Sequence, residues 1–379
     1  MTSTDPPGRP DAPKLDAAPA RIAVLGTGMM GTSIAMAALR AGIAVRGTDA
    51  DPQVLARASE HGGFVAAPDL PSAVRGAELV VVCTPTAAIP STVRAVLDAA
   101  PEAVVTDAGS VKTAVVREIE RDAAGTGAER FVGGHPMGGS ERSGPDGAAP
   151  SVVDSIVWAI TPSEVSAPDA VGRLEAFVGA LGSRPVLLSP ERHDRLVAIV
   201  SHLPQIASTV LMGLAASEEA DEPELLLLAA GGFRDLTRLA ASSPTLWSDI
   251  LLSNRDAILA AIDLYLARLS AMRELVAAQR AGEVEEAFAA AKAARLTMAA
   301  KPLVRSGVAI LQVPIPDRPG ALAELTATMA EAGINIEDLQ IVHSPEGGRG
   351  LVHVTVAASE SGSAAEVLGA RSFEPTRIA

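Results

Sequence analysis

The sequence predicts an α/β chain in three parts: a doubly wound parallel-sheet domain, an all-helical block and a small ferredoxin-like domain. Three observations predict it. From Arg21 to Leu188, short Val/Ile/Leu runs alternate with helical stretches, the pattern of strands buried on both faces of a parallel sheet. From Ser189 the strands stop and long Ala/Leu-rich segments run to about residue 300. After Pro302, strands return in the order β-α-β-β-α-β. A chain of 379 residues has room for two or three domains of about 150 residues. The expected boundaries are 1–19, 20–188, 189–303 and 307–379.

Residues 1–19 are polar and Pro-rich with nothing to bury, so a disordered tail is expected. Ile22–Leu25 reads as a strand and Met30–Ala41 as a helix, followed by strand Ala44–Asp49 and helix Pro52–His61. Leu79–Cys83 is a fully apolar strand, with a helix over Ile89–Ala99. Ala103–Asp107 is a strand, with a helix after Ser110. Phe131–Gly134, Ser155–Thr161 and Pro185–Leu188 are later strands. Ser189-Pro190 and Ser243-Pro244 each pair an N-cap residue with a proline at the first helical position. Ile258, Ile262, Tyr265, Leu266 and Leu269 keep helical spacing. So apolar a helical block points to a homodimer. In the last part, Val308–Pro314 is a strand, Gly320–Ala332 a helix, and Ile334–Glu337 begins another strand. Gly347-Gly348 marks a turn, Leu351–Val356 a strand, Ala364–Leu368 a helix and Phe373–Ile378 a short last strand.

Composition excludes several classes. The net charge of −14 and the 2% aromatic content argue against a nucleic-acid binder, which needs a basic footprint and stacking platforms. Cys83 is the sole cysteine, so neither a disulfide framework nor a multi-cysteine metal site is expected. No uninterrupted apolar run reaches the roughly 18 residues of a membrane span, and the N-terminus lacks a secretory h-region. A cytoplasmic protein is expected, with no membrane or nucleic-acid partner.

Gly26-Thr27-Gly28-Met29-Met30-Gly31 follows an apolar strand and opens a helix. This is the Rossmann arrangement: glycines for the tight turn, for close approach of a pyrophosphate and for helix–strand packing, with helix N–H groups facing the anion. Asp49 ends the second strand, where its carboxylate would accept from ribose hydroxyls and favour NAD over NADP. The plainer alternative is that Asp49 caps a helix. Thr84-Pro85 ends a buried strand at the expected switch-point crevice. Cys83 reads as a small buried hydrophobe.

Chemistry-bearing residues follow. His135 lies in Gly133-Gly-His-Pro-Met-Gly-Gly-Ser140 and is expected to emerge at a strand's carboxyl end; otherwise it is an idle loop histidine. Ser110, in Asp107-Ala-Gly-Ser-Val-Lys112, could cap the following helix or bond an imidazole or substrate hydroxyl. His202, in Ser201-His-Leu-Pro204, precedes a proline inside a helix and faces either a cleft or the core. Arg234 and Arg238 share a helix face, as a surface ion-pair stripe or a carboxylate clamp. Trp247 walls a pocket or packs a core.

Taken in order, GTGMMG, Asp49, DAGSVK, HPMGGS, SHLP and GFRDLTR followed by PTLW resemble the prephenate/arogenate dehydrogenases of tyrosine biosynthesis over about residues 20–300. The tail from about 308 resembles an ACT domain, through Asp317-Arg-Pro-Gly320 and Gly333-Ile-Asn-Ile336. The resemblance implies NAD-dependent oxidative decarboxylation of prephenate to 4-hydroxyphenylpyruvate. It implies that His135 contacts the ring hydroxyl and that Ser110 supports both. Ser140 and His202 would line the pocket, and Arg238 would hold a carboxylate with Arg234 and Trp247 nearby. It also implies tyrosine or another amino acid as an effector of the last domain. On this reading kcat/KM rises as pH passes through the histidine range. Competing readings are an arogenate or dual-substrate cyclohexadienyl dehydrogenase and a non-catalytic NAD-sensing regulator. The second is disfavoured because a sensor needs no hydride-transfer pocket.

Overall fold

The computed structural model describes residues 18–122, 127–138, 144–219, 221–299, 308–316, 318–342 and 349–378. The expected tail over 1–17, Ser140, Asp317 and the Gly347-Gly348 turn lie outside the described residues. In chain order the elements are β1 Arg21–Leu25, α1 Met29–Arg40, β2 Ala44–Thr48, α2 Pro52–Gly62, β3 Val65–Ala66, α3 Leu70–Val74, β4 Leu79–Val82, α4 Ile89–Ala99 and β5 Val104–Asp107. There follow α5 Thr113–Asp122, β6 Gly133–Pro136, β7 Val157–Thr161, α6 Pro168–Ala180, β8 Arg184–Leu187, α7 Pro190–Val197, α8 Leu203–Glu218, α9 Gly231–Thr237, α10 Pro244–Ser253, α11 Arg255–Ala277 and α12 Ala281–Ala299. The last part holds β9 Val308–Pro316, α13 Ala321–Glu331, β10 Asp338–Val342, β11 Arg349–Ala357, α14 Ser361–Ala370 and β12 Thr376–Arg377. The chain forms two compact units, residues up to Ile206 with Ala241–Ile262, and Ala207–Ala240 with Asp263 onward.

In the first unit a parallel five-stranded sheet runs in the order β3-β2-β1-β4-β5. The strand order reverses between β1 and β4, which is where α/β sheets open a ligand crevice. Alternate residues of β1 go to opposite faces. Ile22 and Val24 join a core cluster with Ile34, Trp158 and Phe177. Ala23 and Leu25 join the other, with Val80, Val82, Ile89 and Ile119. Both faces are covered, which is why the strands carry no polar alternation. A three-stranded extension, β6-β7-β8, adjoins β5 through a parallel bridge between Val105 and Phe131. Here β6 pairs antiparallel with β7, so the expectation of parallel strands throughout is corrected at this edge. Helix α6, between β7 and β8, was not read from the sequence; its Gly172 and Gly179 weaken the helical signal.

The expected N-caps form: the Ser189 side chain accepts from the Arg192 N–H at 3.2 Å and that of Ser243 from Leu246 at 3.5 Å. Between α7 and α8 the backbone widens into a π turn over Ala198–His202. Pro204 lies just beyond it and cannot donate to the helix ladder. The insertion absorbs that defect where the sequence predicts a kink. The composite helix Pro190–Glu218 reaches a mean hydropathy of 1.5 and is, by length and composition, long and apolar enough to cross a membrane. It carries the buried polar residues His193, Asp194, His202 and Gln205.

In the second unit, α8 ends near Glu218 and the described residues 221–228 form turns, where Pro223 cannot continue a helix. Leu264, Leu266, Leu269, Val276 and Phe288 on α11 and α12 are exposed. The last part is an antiparallel sheet in the order β10-β11-β9-β12. Its two helices cover a core of Leu311, Val313, Leu325, Met329, Val352 and Leu368. The second strand of this part begins at Asp338, not Ile334. Ile334 instead closes the α13 turn, its N–H donating to the Met329 carbonyl at 3.0 Å.

Candidate active site

The cofactor crevice is assembled from strand ends. Gly26 has φ +90°, and a Cβ there would lie 2.7 Å from the Cys83 carbonyl oxygen. A Cβ on Gly31 would lie 2.0 Å from the Gly26 carbonyl oxygen. Any larger residue therefore separates β1, β4 and α1. Gly28 is different: nothing stands within 4 Å of its Cβ position, and as the N-cap of α1 it supplies no side-chain cap. The first N–H groups of α1 thus face open space, as an anion needs. Thr84 Oγ1, at the end of β4, is buried without a hydrogen-bond partner. Bare backbone, open amides and an orphaned hydroxyl fit a dinucleotide.

Asp49 follows β2 and is half-buried. Its Oδ2 accepts from Thr27 N at 2.6 Å and Thr27 Oγ1 at 3.2 Å, and Oδ1 accepts from Asp51 N at 3.0 Å. Asp49 does not cap α2; Asp51 does, accepting from Gln53 and Val54. The Arg46 guanidinium donates to the carbonyls of Ser72 and Arg75 and forms no ion pair with Asp49 among the described residues. Met29 and Met30 are half-buried, and Met30 packs on the core. Pro85 is exposed at the rim.

His135 lies along the same edge. The Ala108 N–H donates to the Val82 carbonyl at 2.9 Å, and Asp107 Oδ1 accepts from Gly134 N at 3.1 Å. The carboxyl ends of β1, β4 and β5 and the middle of β6 are therefore contiguous. His135 sits inside β6, opposite Ala159, not beyond the strand's end; this corrects the sequence expectation. The HPMGGS segment continues the ladder two residues further because Gly133 and Gly134 pass close to Thr161 and Asp107.

Behind His135 lies a network that sequence reasoning missed. His135 Nδ1 is 2.8 Å from His193 Nε2, and His193 Nδ1 is 2.8 Å from Asp194 Oδ1. Asp194 also accepts from the backbone N–H groups of Lys112 at 2.9 Å and Thr113 at 2.8 Å. It therefore caps α5 from another helix. Ser110 is not that cap: it is half-exposed, with no hydrogen-bond partner among the described residues. Lys112, fully buried, donates from Nζ to Asp107 and, at 2.8 Å, to the Gly134 carbonyl. The available signals were the adjacent His193-Asp194 pair near a helix start and the two charged ends of DAGSVK.

His202 is 1% exposed, so the core alternative describes its burial. Asn254 Nδ2 donates to the Asp194 carbonyl at 2.9 Å and to His202 Nδ1 at 3.2 Å. The His202 ring meets Trp247 edge-on, with centroids 6.0 Å apart. Arg234, on α9, and Arg238, in the turn that follows, are exposed side chains of the second unit.

Burial, then the neighbouring His193, Lys112 and His202, hold the His135 imidazole well below the ordinary histidine range, with Asp194 opposing. Burial pushes His202 down to about 4, against Asp194 and with His193. For Asp194, burial raises the carboxyl, but hydrogen bonds from His193, Thr113 and Lys112 outweigh it and hold it below the usual range. His135 is therefore uncharged at neutral pH. In place of the rise through the histidine range that the sequence suggests, a plateau is expected there. A base with a depressed pKa is ready above that pKa and is lost only as pH falls through it. The expected kcat/KM profile is flat from pH 8 through the ordinary histidine pKa of about 6.5 and falls only well below it. Stopped-flow kinetics with isotopic substitution at the transferred hydrogen checks it; a half-maximum near the ordinary histidine value contradicts it.

Family models match most of the chain: "Prephenate dehydrogenase, nucleotide-binding domain" over residues 34–187, "Prephenate dehydrogenase, dimerization domain" over 189–290, and "ACT domain" over 309–371. Prephenate dehydrogenase of Bacillus subtilis is 33% identical over 269 residues, 70% of this chain and 71% of that one. Cyclohexadienyl dehydrogenase of Zymomonas mobilis is 32% identical over 283 residues, 73% of this chain and 95% of that one. The chain belongs to the prephenate dehydrogenase family. It is an NAD-dependent oxidoreductase of that family, with the expected α/β, helical and ACT parts. Among solved structures, prephenate dehydrogenase of A. aeolicus in complex with hydroxyphenyl propionate and NAD+ has a TM-score of 0.69 at 26% identity. It covers 75% of this chain and 99% of its own. Synechocystis arogenate dehydrogenase has a TM-score of 0.64 at 30% identity, covering 73% and 98%. This prephenate dehydrogenase family member thus shares its fold with members named for either substrate.

Proposed function

We propose that this protein oxidises and decarboxylates prephenate to 4-hydroxyphenylpyruvate. The carrying observation is an uncharged, half-buried His135 on the strand edge that also forms the dinucleotide crevice. Bound NAD supplies the hydride acceptor there, with Gly26–Gly31 receiving its pyrophosphate, Asp49 its ribose and Thr84-Pro85 the inner rim. His135 Nε2 takes the proton of the ring hydroxyl as hydride leaves C4. The ring carboxylate departs as carbon dioxide, and the same nitrogen returns the proton to the phenolate. Ser110, whose hydroxyl has no hydrogen-bond partner among the described residues, bonds and orients the substrate hydroxyl. Trp247 walls the ring, with the buried His202 packed edge-on behind it, so positioning supplies most of the effect. Arg238, with Arg234, holds a carboxylate by its guanidinium fork.

We further propose a cytoplasmic homodimer, divided at 20–188, 189–303 and 307–379, with an amino acid such as tyrosine bound by the ACT part. The exposed apolar residues of α11 and α12 support the dimer, since so many would otherwise face water. Arg238→Ala is expected to raise KM for the acidic substrate about 10- to 100-fold, the range of a charged hydrogen-bonded pair, with NAD affinity unchanged. Unaltered KM removes the clamp.

Prephenate and arogenate, each with NAD and NADP, followed by absorbance at the reduced nicotinamide, test the assignment. Turnover of prephenate with NAD is the expected result. Preference for arogenate overturns the substrate, and turnover of neither leaves a sensor.

A further inference from the structure

We infer that His193 and Asp194 are positioning residues that fix the tautomer of His135, placing its proton on Nδ1 and its free lone pair on Nε2. The inference rests on His135 being the base of the proposed reaction and adds how that base is held ready. Asp194 accepts two backbone N–H groups at the start of α5, from Lys112 at 2.9 Å and Thr113 at 2.8 Å. An ionised carboxylate can only accept, so His193 Nδ1, 2.8 Å from Oδ1, donates. We take His193 as carrying this one ring proton, so its other nitrogen, Nε2, accepts. His135 Nδ1, 2.8 Å from it, must carry the proton, and His135 Nε2 is the nitrogen left bare. Each tautomer is set by the hydrogen bond on the other nitrogen.

The arrangement is rigid. His193 is 1% exposed and Asp194 4% exposed, and the two imidazole rings stand edge to face with centroids 5.0 Å apart. The Asn254 amide donates to the Asp194 backbone carbonyl, so α7 is tied to α10 at the same residue. The charged or titratable groups facing His135 are His193 and Asp194 from α7, Lys112 ahead of α5, and His202 from the π turn. Asp194 alone among them is negative. When His135 gains a proton at Nε2, no other proton need move. The new positive charge is shared through the Nδ1–H bond to His193, and Asp194 lies two hydrogen bonds away to offset it. In serine hydrolases an aspartate one hydrogen bond behind the imidazole holds its tautomer and orientation; here His193 stands between the two.

The full chain labelled with 15N-histidine reads the tautomer directly from multiple-bond 1H–15N correlations, with His135→Asn assigning the ring. The expected wild-type spectrum shows His135 protonated at Nδ1 and bare at Nε2. His193→Leu moves the proton to Nε2 and lowers kcat about 10- to 100-fold, less than full loss of a positioned base, while KM changes little. His193→Gln, whose amide oxygen reaches the place of Nε2 and accepts, restores the Nδ1–H form and part of kcat. A wild-type His135 protonated at Nε2 overturns the inference, as does a leucine variant with the wild-type tautomer, or a glutamine variant no better than leucine. The wild-type spectrum decides even if the leucine variant does not fold. Because that spectrum needs no substrate, the stated tautomer with no prephenate turnover upholds the inference and removes only the proposed reaction. The reversed tautomer with full turnover does the opposite.

Discussion

His135→Asn is expected to lower kcat by about 10²- to 10⁴-fold, the contribution of a positioned general base, and to leave NAD affinity unchanged. The substitution is chosen for its geometry. The asparagine amide nitrogen occupies the place of imidazole Nδ1 and keeps a donor toward His193 Nε2, 2.8 Å away in the native protein. What disappears is Nε2, the atom assigned to the substrate hydroxyl. The dinucleotide loop is untouched, because Gly26 and Gly31 shape it through close approach to Cys83 and to one another, away from His135. Steady-state reduction of NAD, with a fluorescence titration of NADH, separates the two effects. A variant that keeps kcat within a few-fold of wild type removes His135 from the chemistry. A variant that loses NADH affinity in parallel makes His135 part of the cofactor cradle instead.

Much of this site is legible in the sequence because its signals are local. A glycine pattern after a strand, an aspartate at the next strand's end and a histidine among glycines each report on backbone a few residues away. The Rossmann sheet is legible for the same reason: its strands are buried on both faces and read as unbroken apolar runs. The His193–Asp194 support is not local. His193 reaches His135 across 58 residues, and Asp194 reaches Lys112 across 82. Nothing in either segment announces the other. Burial likewise escapes the sequence. The expected pH response of His135 changes from a rise to a plateau because burial and neighbouring charges hold below the histidine range a ring that sequence alone places in an accessible loop. The β6 boundary shifts for a related reason. His135-Pro136 lack strand propensity, and β7 pairs them through tertiary contact, which overrides local preference. Helix α3 is illegible because it is a five-residue turn around Pro71.

The strongest stability effect is expected at Lys112, which touches neither the proposed substrate nor the cofactor. Its ammonium and the Asp107 carboxylate are both fully buried. Asp107 further accepts from Gly109 N at 2.9 Å and Gly134 N at 3.1 Å, and Lys112 also serves the Gly134 carbonyl. The pair thus ties β5, the start of α5 and the residue preceding His135. Lys112→Met keeps the chain length and removes the charge, leaving the buried Asp107 carboxyl without its cation. Breaking a buried pair this way costs about 3–5 kcal/mol, which lowers Tm by about 10 °C in a unit of this size. Removing the other charge as well should reverse much of the loss. In Lys112→Met with Asp107→Asn, the asparagine oxygen still accepts a backbone N–H, and no uncompensated charge remains. Scanning calorimetry of the single and double variants decides it. If the double variant melts no higher than the single one, the cost lies in packing around the methionine and not in a stranded carboxylate. The same experiment bears on catalysis, because Gly134 is held at both its N–H and its carbonyl by this pair. A double variant that regains its melting temperature but not its kcat shows that the lysine contact with the Gly134 carbonyl, and not fold stability, keeps His135 in register with the crevice.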